Sequence, residues 1–107
     1  LLNVALYGYT AKQWKEANEP FQLIDVRERY EYELTNLSGD LIPMQHIPEK
    51  IDEIATHKKV VIMCRSGARS ANAVHYLEQN HGFDNLYNLA GGILAYSDEV
   101  DSKVKKY

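Results

Sequence analysis

The sequence predicts an α/β fold, a parallel β-sheet core flanked by α-helices on both sides. Short runs rich in β-branched residues alternate with stretches whose apolar residues recur every three or four positions. The run Val60-Val61-Ile62-Met63 has no polar alternation, as a strand covered on both faces requires. Finally, a strand, a helix and a strand follow one another from Val60 to Leu89, which makes a right-handed βαβ unit with parallel strands.

Taken in order, Thr10 is placed to cap a helix over Ala11 to Asn18, with Trp14 on its inner face. Phe21 to Val26 is the first strand, and Leu41-Ile42 is a short strand ended by Pro43. Pro48 opens a helix in which Ile51, Ile54 and Ala55 form one apolar stripe. After the strand Val60 to Met63, Ser70 to Asn80 is helical, with Ala73, Val74 and Leu77 on one face and Gly82 as the stop. Leu86 to Leu89 is a further strand. Gly92 precedes a last helix carrying Ile93, Leu94, Tyr96 and Val100, and Lys103, Lys105 and Lys106 form a solvated end.

Composition is even along the 107 residues, with no linker, repeat or low-complexity tract, so residues 1–107 read as one domain. Twelve basic and 15 acidic side chains leave a formal charge of −3, which gives no electrostatic reason for a nucleic-acid or anionic-membrane partner. The longest apolar run, Val60 to Cys64, is five residues, against the roughly 20 of a membrane span. The start, Leu1-Leu2-Asn3-Val4, lacks the pattern of a signal peptide and an initiator methionine, so the chain is either processed or cut from a longer one. A single cysteine excludes an internal disulfide and a cysteine-rich zinc site, which points to a reducing, cytoplasmic setting. His46, His57, His75 and His81 show no ligand spacing, so neither a metal nor a cofactor is expected.

The chemistry concentrates at Cys64-Arg65-Ser66-Gly67-Ala68-Arg69-Ser70. This segment leaves a buried strand and enters a helix at the carboxyl end of the sheet, where ligands of such folds bind. Gly67 lets the loop curl, so that successive N–H groups point inward as an anion-binding nest. The helix N-terminus adds about half a positive charge, and Arg65 and Arg69 add two cations. A free thiol has a pKa near 8.5, and such surroundings lower it to about 3.5–7.5. Cys64 is therefore expected to be a thiolate nucleophile that needs no separate base. Asp25 and Arg27 end a strand beside it; a buried pair of Arg27 with Glu31 or Asp25 is the favoured reading, and tuning of the pocket the other. Gly91-Gly92 reads as a turn, since it lacks the spacing of a dinucleotide loop.

From about Thr10 to Tyr96 the chain resembles a rhodanese domain. The resemblance rests on Leu23-Ile24-Asp25-Val26-Arg27-Glu28, Glu31-Tyr32-Glu33, the loop Cys64 to Ser70, Gly82-Phe83, Tyr87-Asn88-Leu89 and Gly91-Gly92-Ile93, in that order and spacing. It implies a rhodanese-like fold and a sulfurtransferase that takes sulfane sulfur from a small anionic donor such as thiosulfate. The sulfur would be held as a persulfide on Cys64 and passed to cyanide, a thiol or a carrier protein. Carried over, the backbone amides of Arg65 to Arg69 cradle the persulfide, and Arg65 and Arg69 steer the donor. Three residues depart from the family pattern: Asn36 where histidine is frequent, Asp40 where a small apolar residue is usual, and Tyr96 where tryptophan is common.

Two other functional readings stand beside this one. Cysteine phosphatases and arsenate reductases have a related loop, but with five residues between cysteine and arginine, whereas Cys64 and Arg69 are separated by four. The tail Tyr96-Ser97-Asp98-Glu99-Val100-Asp101 with Tyr107 resembles the end of rhodanese domains fused to adenylyltransferases of thiamin, molybdopterin and tRNA thiolation. In that case the acceptor is the carboxyl terminus of a carrier protein.

Overall fold

A computed structural model describes residues 4–107; the first three positions of the start read above lie outside them. The elements are β1 (Val4–Leu6), α1 (Gly8–Glu16), β2 (Phe21–Asp25), α2 (Arg29–Leu34), β3 (Asp40–Leu41), 3₁₀ turns at Met44–Glu49 and Ile51–Glu53, β4 (Lys59–Met63), α3 (Ala68–His81), β5 (Leu86–Leu89) and α4 (Gly92–Glu99). The five strands form one sheet in the order β1-β5-β4-β2-β3, and every pairing is parallel. This is the predicted α/β architecture.

β4 explains the layering. Its side chains alternate between two cores and none of Val60 to Met63 is exposed. Val60 and Ile62 join Ile24, Val26, Ala73, Val74 and Leu77 on the α3 face. Val61 and Met63 join Ala11, Leu89, Ile93 and Tyr96 on the face covered by α1 and α4. From Val60 to Met63 both faces are apolar and the run shows no alternation; Lys59, the charged residue of β4, sits half-buried at its start.

Three local readings change. Thr10 does not cap α1: the helix starts at Gly8, and the amides of Thr10 and Ala11 bond to the carbonyl of Tyr7 at 2.9 and 3.2 Å. Gly8 can lead the helix because it has no side chain; a Cβ there would lie 2.8 Å from the ring of Tyr96. The helix also ends at Glu16 rather than Asn18, which takes a positive φ of 54°. Pro48 does not open an α-helix. It sits inside a 3₁₀ turn, and bonds of the i to i+3 type run from Lys50 to Ile47, Glu53 to Lys50 and Ile54 to Ile51. Proline's missing N–H and its ring bar the i to i−4 ladder around it, yet the expected stripe survives: Ile54 is buried and Ile51 and Ala55 pack on the core.

Smaller shifts occur elsewhere. α3 begins at Ala68, two residues before the predicted start, with Gly67 left-handed at its N-cap. Gly82 ends it in the left-handed conformation, as predicted. β1 and α2 are absent from the sequence reading. α2 is held by a reciprocal capping box, in which the amide of Glu28 donates to the carboxylate of Glu31 at 3.0 Å.

Candidate functional site

Because all strands run the same way, their carboxyl ends meet at one edge of the molecule. β4 delivers Cys64 there, buried at 1% exposure, and α3 starts immediately beyond. The connecting loop turns through Gly67 at φ 105°, so the chain doubles back over the sulfur. The Sγ of Cys64 accepts the N–H of Gly67 at 3.1 Å and of Ser70 at 3.4 Å, and the amide of Ser66 also faces it. The Ser70 hydroxyl stands 3.3 Å away. Burial pushes the thiol pKa up, but the hydrogen bonds available from the Ser70 hydroxyl and from these amides outweigh it, and the net direction is down. A buried sulfur ringed by donors is stabilised as an anion.

The loop is also held from outside. The first-turn amides of α4 donate to it: Ile93 N–H to the carbonyl of Cys64 at 3.0 Å, and Leu94 N–H to that of Arg65 at 3.1 Å. Such an approach requires Gly92, whose φ is 61° and where a Cβ would lie 2.4 Å from the Arg65 oxygen and 2.5 Å from the Cys64 oxygen. Of the predicted Gly91-Gly92 turn, Gly91 is the N-cap and Gly92 already opens α4, whose first turn clamps the loop. From β5, the Asn88 side-chain amide donates to the Gly67 carbonyl at 3.2 Å.

The two arginines of the loop are placed differently. Arg69 forms a two-pronged ion pair with Glu31 of α2, at 2.8 and 2.9 Å. The Arg69 bonds hold the Glu31 carboxyl below the usual carboxylate range against the opposing effect of burial. Arg65 is exposed at the rim, its guanidinium 5.6 Å from the ring centre of Tyr107, which in turn packs edge-on against Tyr30. Ala68 is exposed on the first turn of α3, and Ser66 is exposed in the loop.

Behind the loop, Asp25 and Arg27 are fully buried and paired, as the favoured reading had it. Of the two candidate partners, Asp25 takes the guanidinium, through Nε at 3.0 Å and Nη2 at 2.8 Å, while the carboxylate of Glu31 goes to Arg69. Arg27 also donates to the carbonyls of Thr35 at 2.7 Å and Tyr107 at 3.0 Å. Every donor of this buried charge is used, as burial demands.

The three positions that depart from the family pattern serve locally. Asn36 bridges Tyr32 and Ser38, Asp40 accepts from Gln22, and Tyr96 is buried against α1. A cleft of about 730 Å³ opens beside the start of β2, lined by Phe21, Gln22, Asp40, Glu53 and Lys58 among others, and Cys64 is not among its residues. That cleft is at the opposite ends of the strands, so its size says nothing about the chemistry of the loop. Among the described residues no helix is long and apolar enough to cross a membrane.

Contiguous motifs bring in Asn88, Gly92 and Tyr107 only as marks of the resemblance; the bond of Asn88 to Gly67, the close approach at Gly92 and the ring of Tyr107 beside Arg65 are set by the fold.

The chain is similar to known proteins over most of its length. The Rhodanese-like domain family matches residues 9–99. The Bacillus subtilis (strain 168) protein named "Putative sulfurtransferase YtwF" is 38% identical over 98 residues, covering 86% of this chain and 88% of its own. "Rhodanese-like/PpiC domain-containing protein 12, chloroplastic" of Arabidopsis thaliana is 36% identical over 91 residues, covering 80% of this chain but only 30% of the relative. A crystal structure of a rhodanese-like domain protein from Staphylococcus aureus superposes with a TM-score of 0.81 at 30% identity, covering 97% of this chain and 98% of the other. The fold, the strand-to-helix loop and these likenesses agree, and the chain belongs to the rhodanese-like domain family.

Proposed function

We propose that the protein is a sulfurtransferase in which Cys64 carries one sulfur atom as a persulfide. The observation that carries this reading is the set of amides from Ser66, Gly67 and Ser70 converging on one buried sulfur. The Cys64 thiolate attacks the outer sulfur of a donor such as thiosulfate. A new S–S bond forms on Cys64, the S–S bond of the donor breaks, and sulfite leaves with its electron pair. The outer sulfur then passes to a thiophilic acceptor, cyanide in the simplest case, giving thiocyanate and returning the thiolate. No cofactor and no proton transfer to a separate base are needed.

The added sulfur bears the negative charge of the persulfide. It projects beyond Sγ toward the first turn of α3, where the N–H groups of Ala68 and Arg69 have no intrahelical acceptor. Arg65, exposed at the rim, is the cation that meets an anionic donor. Arg69 acts mainly through its field, since Glu31 occupies its guanidinium edge. What favours sulfur over phosphate is the length of the loop: four residues separate Cys64 from Arg69, one fewer than in the related loops of cysteine phosphatases. The same chemistry serves a protein acceptor, whose approach to the sulfur is from the rim beside Arg65.

Two-step sulfur transfer has a kinetic fingerprint. With thiosulfate and cyanide both varied, double-reciprocal plots should be parallel, because sulfite leaves before cyanide enters. Intersecting lines, showing both substrates bound together, would rule out the free persulfide. kcat/KM for thiosulfate should be level above the depressed thiol pKa and fall tenfold per unit below it.

A further inference from the structure

The Ser70 hydroxyl has one proton and three acceptors within reach: Asn88 Oδ1 at 2.5 Å, the Gly67 carbonyl at 3.2 Å and Cys64 Sγ at 3.3 Å. The amide orientation of Asn88 is fixed, because its Nδ2 donates to the Gly67 carbonyl; the reverse orientation would set two carbonyl oxygens against each other. Oδ1 therefore faces the Ser70 oxygen, and two oxygens this close require a proton between them. Only the hydroxyl can supply it. The Gly67 carbonyl already accepts the N–H of Ala71 at 3.1 Å and is the weaker claimant.

We propose that Asn88 is a positioning residue that holds the Ser70 hydroxyl proton away from Cys64, and so makes the resting thiol less acidic than the loop alone would make it. In the resting thiol, the chain of hydrogen bonds runs from the Cys64 S–H to the Ser70 oxygen and from the Ser70 O–H to Asn88. Ionisation releases the thiol proton to solvent and leaves Sγ facing the lone pairs of the Ser70 oxygen. The hydroxyl must then rotate from Asn88 to the sulfur, giving up one hydrogen bond to make another. The same rotation turns a donor toward the sulfur of the persulfide state. Ser70 is thus a two-position switch, and Asn88 sets its resting position. This rests on the reading of Cys64 as the reacting sulfur.

The charged groups around the switch do not account for it. Arg69 is the side chain whose charge is felt at Cys64, and Glu31 from α2 and Asp25 from β2 answer it. Arg65 stands at the rim over Tyr107. Neither α3 nor α4 has an acidic residue in its first turn, and β5 contributes the neutral Asn88. None of these ions is hydrogen-bonded to the side chains of Ser70 or Asn88.

The test is the rate of iodoacetamide alkylation against pH in the wild type, Asn88→Leu, Ser70→Ala and the double variant. Freed from Asn88, the hydroxyl is drawn to the thiolate, an acceptor roughly twice as strong as a neutral carbonyl. The thiol pKa of Asn88→Leu should therefore fall, giving about three- to tenfold more thiolate at a pH below both values. Ser70→Ala should remove the effect, so that the double variant titrates like Ser70→Ala. An unchanged or raised pKa in Asn88→Leu would overturn the proposal, because a residue that merely props the loop would raise it when lost. So would a double variant still more acidic than Ser70→Ala. Asn88→Ala, which adds no bulk, is read in the same way if the leucine variant does not fold. Sulfur uptake from thiosulfate by the wild type is measured separately. Its absence, with the pKa shift present, would count against sulfur transfer and leave the switch standing.

Discussion

Gly92→Ala should lower stability by about 2–4 kcal/mol and remove most of the sulfur-transfer activity. The added Cβ would meet the Arg65 oxygen at 2.4 Å, the Arg65 carbonyl carbon at 2.5 Å and the Cys64 oxygen at 2.5 Å. All three are backbone atoms, so no side chain can swing aside. The left-handed backbone at this position adds about 1–2 kcal/mol for a residue with a Cβ. To make room, the loop must lift away from α4 and stretch the bonds from Ile93 and Leu94, each contributing about 1 kcal/mol. The nest loses its alignment on Sγ at the same time. Gly82→Ala is the control: Gly82 is also left-handed, at φ 69°, but nothing lies within 4 Å of its added Cβ. It should cost only the backbone strain and leave alkylation of Cys64 unchanged. Urea unfolding and turnover of both variants separate the two effects; equal losses would show that the close approach at Gly92 does not matter.

Arg27→Met is expected to cost about 3–5 kcal/mol, the range for breaking a buried ion pair from one side. Asp25 would remain fully buried without a counter-charge, and the carbonyls of Thr35 and Tyr107 would lose their donors. Asp25→Asn alone should destabilise for the mirror reason. The double variant should cost clearly less than the sum of the two, because neither charge is then left alone. Additive losses in the cycle would mean that Arg27 stabilises through its other contacts rather than through Asp25. The pair sits directly behind the loop, since Glu31, which holds Arg69, also offers its backbone carbonyl to Arg27. Loss of stability should therefore come with a weaker hold on Arg69.

What could be read from the sequence follows from how far apart the cooperating residues lie. β4 was legible because both of its faces are buried, which removes polar residues from the run. α3 was legible because Ala73, Val74 and Leu77 repeat over 14 residues, enough turns for a period to show. β1 has three residues at a sheet edge with one buried, and α2 has six, so neither carries a full period. The stripe after Pro48 has helical spacing, yet the backbone there is 3₁₀, because side-chain periodicity does not report a missing N–H. The candidate site divides in the same way. Cys64 to Ser70 is contiguous in sequence, running from the end of β4 into the first turn of α3, so its cysteine, glycine and two arginines are legible together. Glu31, Asn88 and Gly92 come from α2, β5 and the start of α4, and only the fold brings them to it. Pairing Arg27 with Asp25 rather than Glu31 needed the same information: the sequence offered two carboxylates, and the structure assigned each to a different arginine.

The claim that Cys64 carries a single sulfur atom is tested most directly by the intact mass of the protein after incubation with thiosulfate. The chain has one cysteine, so a persulfide cannot collapse into an internal disulfide and should persist long enough to be weighed. The mass should rise by one sulfur atom, return to the starting value on adding cyanide, and not change in Cys64→Ser. A mass that never changes, or a gain that survives in Cys64→Ser, would contradict the account.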